Sequence, residues 1–114
     1  MAKLPDETIN TVLHLQKSLL AEIHEAKATE MTIFEQYGEN EGTITVLEQL
    51  TNTRERLTIP YSRFYTLLLR IAEAKPSASE AMLNLLSQSI EQTQATIEAA
   101  KATIREARQD FQIL

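Results

Sequence analysis

The last third of the chain carries one unbroken run of apolar and small residues at alternating steps of three and four. Leu83, Leu86, Ile90, Thr93, Ile97, Ala100, Ile104, Ala107, Phe111 and Leu114 mark it, and no Pro or Gly interrupts it. Only a helix places those positions on one stripe. A stripe of that length needs partner helices to cover it.

The partners are legible upstream. A first helix is expected to open at Pro5, with Asp6 and Glu7 in its first turn. Proline is tolerated there, and carboxylates suit the positive end of the helix dipole. Its stripe runs Ile9, Val12, Gln16, Leu19, Ile23, Ala26, Glu30, Ile33, Tyr37, with Leu13, Leu20 and Phe34 as a flanking row expected to widen the apolar face. Gly38 ends it, and residues 38–42 form the turn.

A second helix is expected to start near Thr43 or Thr45, with Thr45 and Glu48 as a capping box. Its stripe is Leu47, Leu50, Arg54, Leu57, Tyr61, Phe64, Leu68, Ile71, with Pro60 in the middle. Proline inside a helix removes a hydrogen bond and clashes with the preceding turn, at a cost of about 3 kcal/mol. The heptad phase is nevertheless the same on both sides of Pro60, which favours one helix kinked there over a break at Thr58-Ile59. Lys75-Pro76-Ser77 reads as the second turn, and Ser77 with Glu80 as the cap of the third helix.

The expected fold class is therefore all-α. It is one domain over residues 1–114, with helices at about 5–37, 43–75 and 78–113. Near-equal lengths and short turns imply an antiparallel, up-down-up three-helix bundle. Two Gly and three Pro leave too few turn residues for a β-rich fold. The chain has no Cys, so thiolate chemistry and disulfides are excluded. The sequence shows no secretory segment and no apolar run of membrane-spanning length, and the cytoplasm is the expected location.

Folding at the first turn places Glu30 opposite Leu50 to Arg54, and small residues such as Ala26, Ala100 and Ala102 leave room for a guanidinium. We expect a polar layer of Glu30 and Arg54 across the core; the alternative is an Arg54 head that reaches to water.

Charge is unevenly spread. Residues 1–42 hold three basic and eight acidic side chains, residues 43–76 five and three, and residues 77–114 three and five. The net charge of −5 argues against nucleic-acid binding, which needs several cations per site. His14 and His24 lack the Glu-x-x-His spacing of helical metal sites, and Glu35, Glu39 and Glu41 lack the ligand series of a calcium loop. No cofactor is expected. Tyr61, Phe64 and Tyr65 gather after the kink, either as core filling or as the lining of a small pocket.

Arg56, Arg63 and Arg70 stand seven apart and share one helix face with a pitch of about 10 Å. Such a row suits an acidic partner or helix; the alternatives are bridges to the neighbouring helices or contact with water alone. Ile59, Leu67, Leu69, Met82 and Leu85 lie off the main stripes, and apolar residues outside a core mark an interface. Together these features point to a non-enzymatic helical protein-interaction or scaffolding module of the adaptor, chaperone or assembly-factor type. Arg56, Arg63, Arg70, Leu69 and Leu85 are its candidate contacts, and a protein or a second copy, as in a homodimer, is its partner. The alternative is a bundle that binds a small hydrophobic ligand near Pro60.

Overall fold

The computed structural model describes residues 5–74 and 78–113. They form α1 (Asp6–Tyr37), α2 (Ile44–Glu73) and α3 (Glu80–Asp110), and every helix packs against the other two. Helix takes up 88% of the described residues, with no strand among them. Helices of 30 to 32 residues are about 45–48 Å long, so each runs most of the length of the 57 × 20 × 17 Å rod. Contacts along α1 descend along α2: Gln16 meets Tyr61, and Glu30 meets Arg54. They ascend along α3: Thr29 meets Arg108, and Tyr37 meets Phe111. That is the sense antiparallel α1 and α2, and parallel α1 and α3, would give.

The helix ends differ in detail from the sequence reading. Pro5 is the N-cap of α1, and its carbonyl accepts from the N–H groups of Thr8 and Ile9. Thr43 caps α2 by position, but its hydroxyl turns back into the loop, donating to the Gly38 carbonyl at 2.7 Å and accepting from the Asn40 N–H at 3.0 Å. Thr45 lies inside the helix, so the expected Thr45–Glu48 box is not formed. The loop wins the hydroxyl because Gly38, at φ +75, aims its carbonyl toward Thr43. For α3 the cap is Ser79, whose Oγ accepts from the Met82 N–H at 3.1 Å. The expected turn at Lys75-Pro76-Ser77 and the last stripe position, Leu114, lie outside the described residues.

α2 passes through Pro60 without a break. Leu57 and Phe64, one turn to either side, are both fully buried, and Pro60 itself faces inward. Burial of that face offsets the missing hydrogen bond, whose acceptor would be the carbonyl of the exposed residue Arg56.

The core follows the expected stripes with a rotation. Val12, Leu19, Ala26 and Ile33 of α1 are buried, but so are Leu15 and Thr29. In α2, Leu67 is buried rather than marginal. The row Leu13, Leu20 and Phe34 does not widen the core: each side chain is about half exposed. The flank of α1 that turns inward is the opposite one. Leu83, placed on the α3 stripe, is 40% exposed, whereas Leu86, Ile97, Ala100, Ile104 and Ala107 are buried as expected.

Candidate interaction surface

Besides the long Gln16–Tyr61 hydrogen bond, polar ties among the described residues hold the second half of α1 to its neighbours. Arg54 Nε donates to Glu30 Oε2 at 3.1 Å, and the Thr51 hydroxyl donates to the other carboxylate oxygen at 3.2 Å. The pair sits at the margin of the bundle, with side chains 28% and 18% exposed, not across its centre. Arg108 makes the matching contact from α3: Nη1 donates to Thr29 Oγ1 at 2.8 Å and lies 3.7 Å from Glu25. Sequence reasoning missed this second tie. Its available signal was a cation one place after the stripe residue Ala107, with Thr29 one place before Glu30. The third tie joins helix ends: the Tyr37 hydroxyl donates to the Phe111 carbonyl at 3.0 Å, and the two rings meet edge to face at 5.3 Å.

Beside the Glu30–Arg54 pair, α1 and α2 part to leave a groove of about 550 Å³. Met31 and Phe34 of α1 and Ile44 and Leu47 of α2 supply its apolar surface. Its rim holds Glu35, Glu39 and Glu48, with Lys27 as the one cation. Leu13, Leu20, Lys27 and Phe34 stand seven apart, so the helix carries them in one row, and Lys27 and Phe34 show that this row borders α2. Lys27 was the readable clue: a lysine in the middle of an apolar flank marks that flank as solvent-facing.

Arg56, Arg63 and Arg70 are all exposed, and none makes an ion pair among the described residues. Bridging to α1 or α3 is thereby set aside for this row. Arg63 and Arg70 line a second, shallower groove of about 400 Å³, on the side of α2 that meets α3, with Ile59, Leu67 and Leu85. Ile59, Leu69 and Leu85 are each about half exposed, whereas Met82 packs partly against the core.

The three aromatics after Pro60 do not converge. Phe64 is fully buried, Tyr65 is 67% exposed, and Tyr61 packs partly against the core. Positions 61, 64 and 65 share an arc of about 100° on α2, with Phe64 at its core-facing edge and Tyr65 at its solvent-facing edge. Phe64 and, in part, Tyr61 act as core filling, and the groove next to Pro60 contains no aromatic residue.

His14 and His24 are both exposed. Among the described residues no group of three or more His, Asp or Glu side chains gathers as a metal site. The acidic turn is tied by Asn40, whose amide donates to the Tyr37 carbonyl at 2.8 Å and whose Oδ1 accepts from the Gly42 N–H at 2.9 Å. Among the described residues no helix is long and apolar enough to cross a membrane.

Glu22, between α1 and α3, carries a raised pKa. Burial is the main cause, and the nearby charges of Glu25 and Glu98 add to it while Lys101 opposes it. Compared with known protein families, curated proteins and solved structures, the chain matches none of them.

Proposed function

We propose that this chain is a non-enzymatic protein-interaction or scaffolding module, working in the cytoplasm through the outer face of α1 and α2. One observation carries the reading. Leu13, Leu20, Met31 and Phe34 expose about half of their surface along one side of α1, and Ile44 adds to them across the groove. None of the chain's own helices covers that face. Around Met31, Phe34 and Ile44 this apolar surface is rimmed by charge, the usual mark of a protein contact, and Lys27 separates it from Leu13 and Leu20 further along the row. A helix laid into the groove would complete a four-helix arrangement with the α1 row as one wall.

The groove volume also falls in the range of small-molecule sites, so a hydrophobic ligand is the competing occupant. Light scattering over a concentration series, combined with a thermal-shift screen of hydrophobic small molecules, separates the two. The module reading expects concentration-dependent assembly with no response to the screen, and loss of that assembly in Leu20→Glu/Phe34→Glu. A monomer stabilised by a small hydrophobic compound would replace it with the ligand-binding reading.

A further inference from the structure

Charge is segregated along the sequence in a way the fold turns into two separate surfaces. Between Lys27 and Arg54 the chain has five Glu and neither Lys nor Arg. Between Glu55 and Glu73 it has Arg56, Arg63 and Arg70 and no acid at all. The first stretch rims the α1–α2 groove with Glu35, Glu39 and Glu48, all exposed and none in an ion pair among the described residues. The second puts three unpaired, exposed guanidinium groups on α2.

Resting on the interaction-module reading, we propose that the acidic groove of one copy receives the arginine ridge of α2 from a second copy, so that molecules join head to tail. The two surfaces are complementary in chemistry as well as in sign. Phe34 and Ile44 give the groove exposed apolar surface, and Ile59 and Leu85 do the same beside the ridge. The α2 wall of the groove, from Ile44 to Asn52, covers about 12 Å and the ridge from Arg56 to Arg70 about 21 Å, so the groove spans two successive arginines of the three, which stand about 10 Å apart.

A single molecule cannot satisfy itself in this way. The groove residues of α2 face α1, whereas Arg63 and Arg70 line the side shared with Leu85 of α3. Both belong to the same unbroken helix, and a rod cannot fold its own far end into its near end. Opposite charges held apart on one rigid element are satisfied between copies. The net charge of −5 repels copies as wholes, so the contact depends on local attraction and weakens as salt screens it. Where one groove meets one ridge per pair of copies, the contact is heterologous and adds copies in a series unless the rotation closes a ring; where both contacts form reciprocally, it closes as a two-fold dimer.

Sedimentation of the intact chain over a concentration series, at low and high salt, tests the proposal with two variants whose changes are all on exposed residues. One reverses the groove rim (Glu35→Lys, Glu39→Lys, Glu48→Lys). The other reverses the ridge (Arg56→Glu, Arg63→Glu, Arg70→Glu). The expected result is association of the unmodified chain that weakens with salt, and at least about tenfold weaker association for each variant alone. An equal mixture of the two variants recovers it, because each supplies the surface the other lacks. An unmodified chain that stays monomeric, a reversal that leaves association unchanged, or a mixture that fails to recover it overturns the proposal.

A further arm separates this failure from failure of the module reading. A monomeric chain that binds a cationic amphipathic helical peptide, and loses it on Phe34→Glu, keeps the module and removes the second copy as occupant. A monomer that ignores the peptide and is stabilised only by a small hydrophobic compound removes both.

Discussion

Around Leu19, Leu57, Phe64 and Leu86 the three helices meet over a broad apolar layer, continued by Val12, Leu67, Ile71 and Ile97. Around Ala26, Ile33, Leu50, Ile104 and Ala107 they meet over a narrow one, of three large residues and two alanines. The polar ties are distributed the other way. Glu30–Arg54, Thr29–Arg108, Tyr37–Phe111 and the Asn40–Thr43 turn all lie in the narrow half. In the broad half, among the described residues, the only side-chain hydrogen bond between helices runs from Gln16 to the Tyr61 carbonyl, at 3.4 Å. Apolar burial is strong but non-directional, whereas a hydrogen bond fails within a few tenths of an ångström. The broad half thus supplies most of the cohesion, and the narrow half sets the register of α1 against its neighbours.

Truncation of the core gives the largest effect and the most direct way to break this contrast. Leu57→Ala should cost about 3–5 kcal/mol, and Leu50→Ala in the narrow half about 2–3 kcal/mol, because the same truncation meets fewer buried neighbours in the smaller cluster. Urea unfolding measures both. Equal losses would mean that the two halves are equally cohesive.

The register role of the narrow half is sharpened by a double-mutant cycle on Glu30→Ala and Arg54→Ala. The partial exposure of the pair holds the expected coupling to about 0.5–1 kcal/mol. A coupling indistinguishable from zero would leave the pair without an energetic role.

The C-terminus of α3 offers a gain rather than a loss. Gln112 adopts φ +54, while the Ile113 N–H reaches back to the Arg108 carbonyl at 2.7 Å and the Gln112 N–H to that of Gln109. This is a Schellman ending whose left-handed position is filled by a residue with a Cβ. Gln112→Gly should stabilise the fold by up to about 1 kcal/mol in thermal unfolding, because glycine enters that conformation without steric penalty.

The smallest expected effect lies where α1 and α3 face each other at Glu22. A raised folded-state pKa means that the folded chain binds this proton more readily than the unfolded chain. Stability from this group is present at low pH and is lost as pH rises through the shifted value. Glu22→Gln should therefore be slightly more stable than the unmodified chain at neutral pH, the gain held small because water screens the partly exposed carboxyl. That advantage should disappear in acid, once the carboxyl is protonated in both states. Paired unfolding curves at neutral and acidic pH decide this; an advantage that persists in acid would assign it to packing instead.

Much of this architecture can be read directly from residue order. Three helices, the Gly38 stop and the α3 stripe from Leu86 to Ala107 follow from periodicity and turn chemistry, because both act over a few residues. The approach of Glu30 to Arg54 follows from counting residues out from the turn at 38–42. Phe64 is legible as core filling because it stands on the α2 stripe, and Tyr65, one place further on, lies about 100° round the helix at the edge of that stripe.

Which flank of each stripe turns inward was decided only by the assembled bundle. Leu13 and Leu15 are equally apolar neighbours of the α1 stripe, yet Leu15 is buried and Leu13 is half exposed; Leu67 and Leu69 divide in the same way in α2. A stripe fixes the centre of a buried face but is symmetric about that centre. The third helix can settle on either side of the first two, and its side is set by the hand of the whole bundle. Three-and-four spacing is the same for both hands. That choice left Leu13, Leu20 and Phe34 outside, and so made the proposed interaction surface from residues whose composition alone would have placed them in the core.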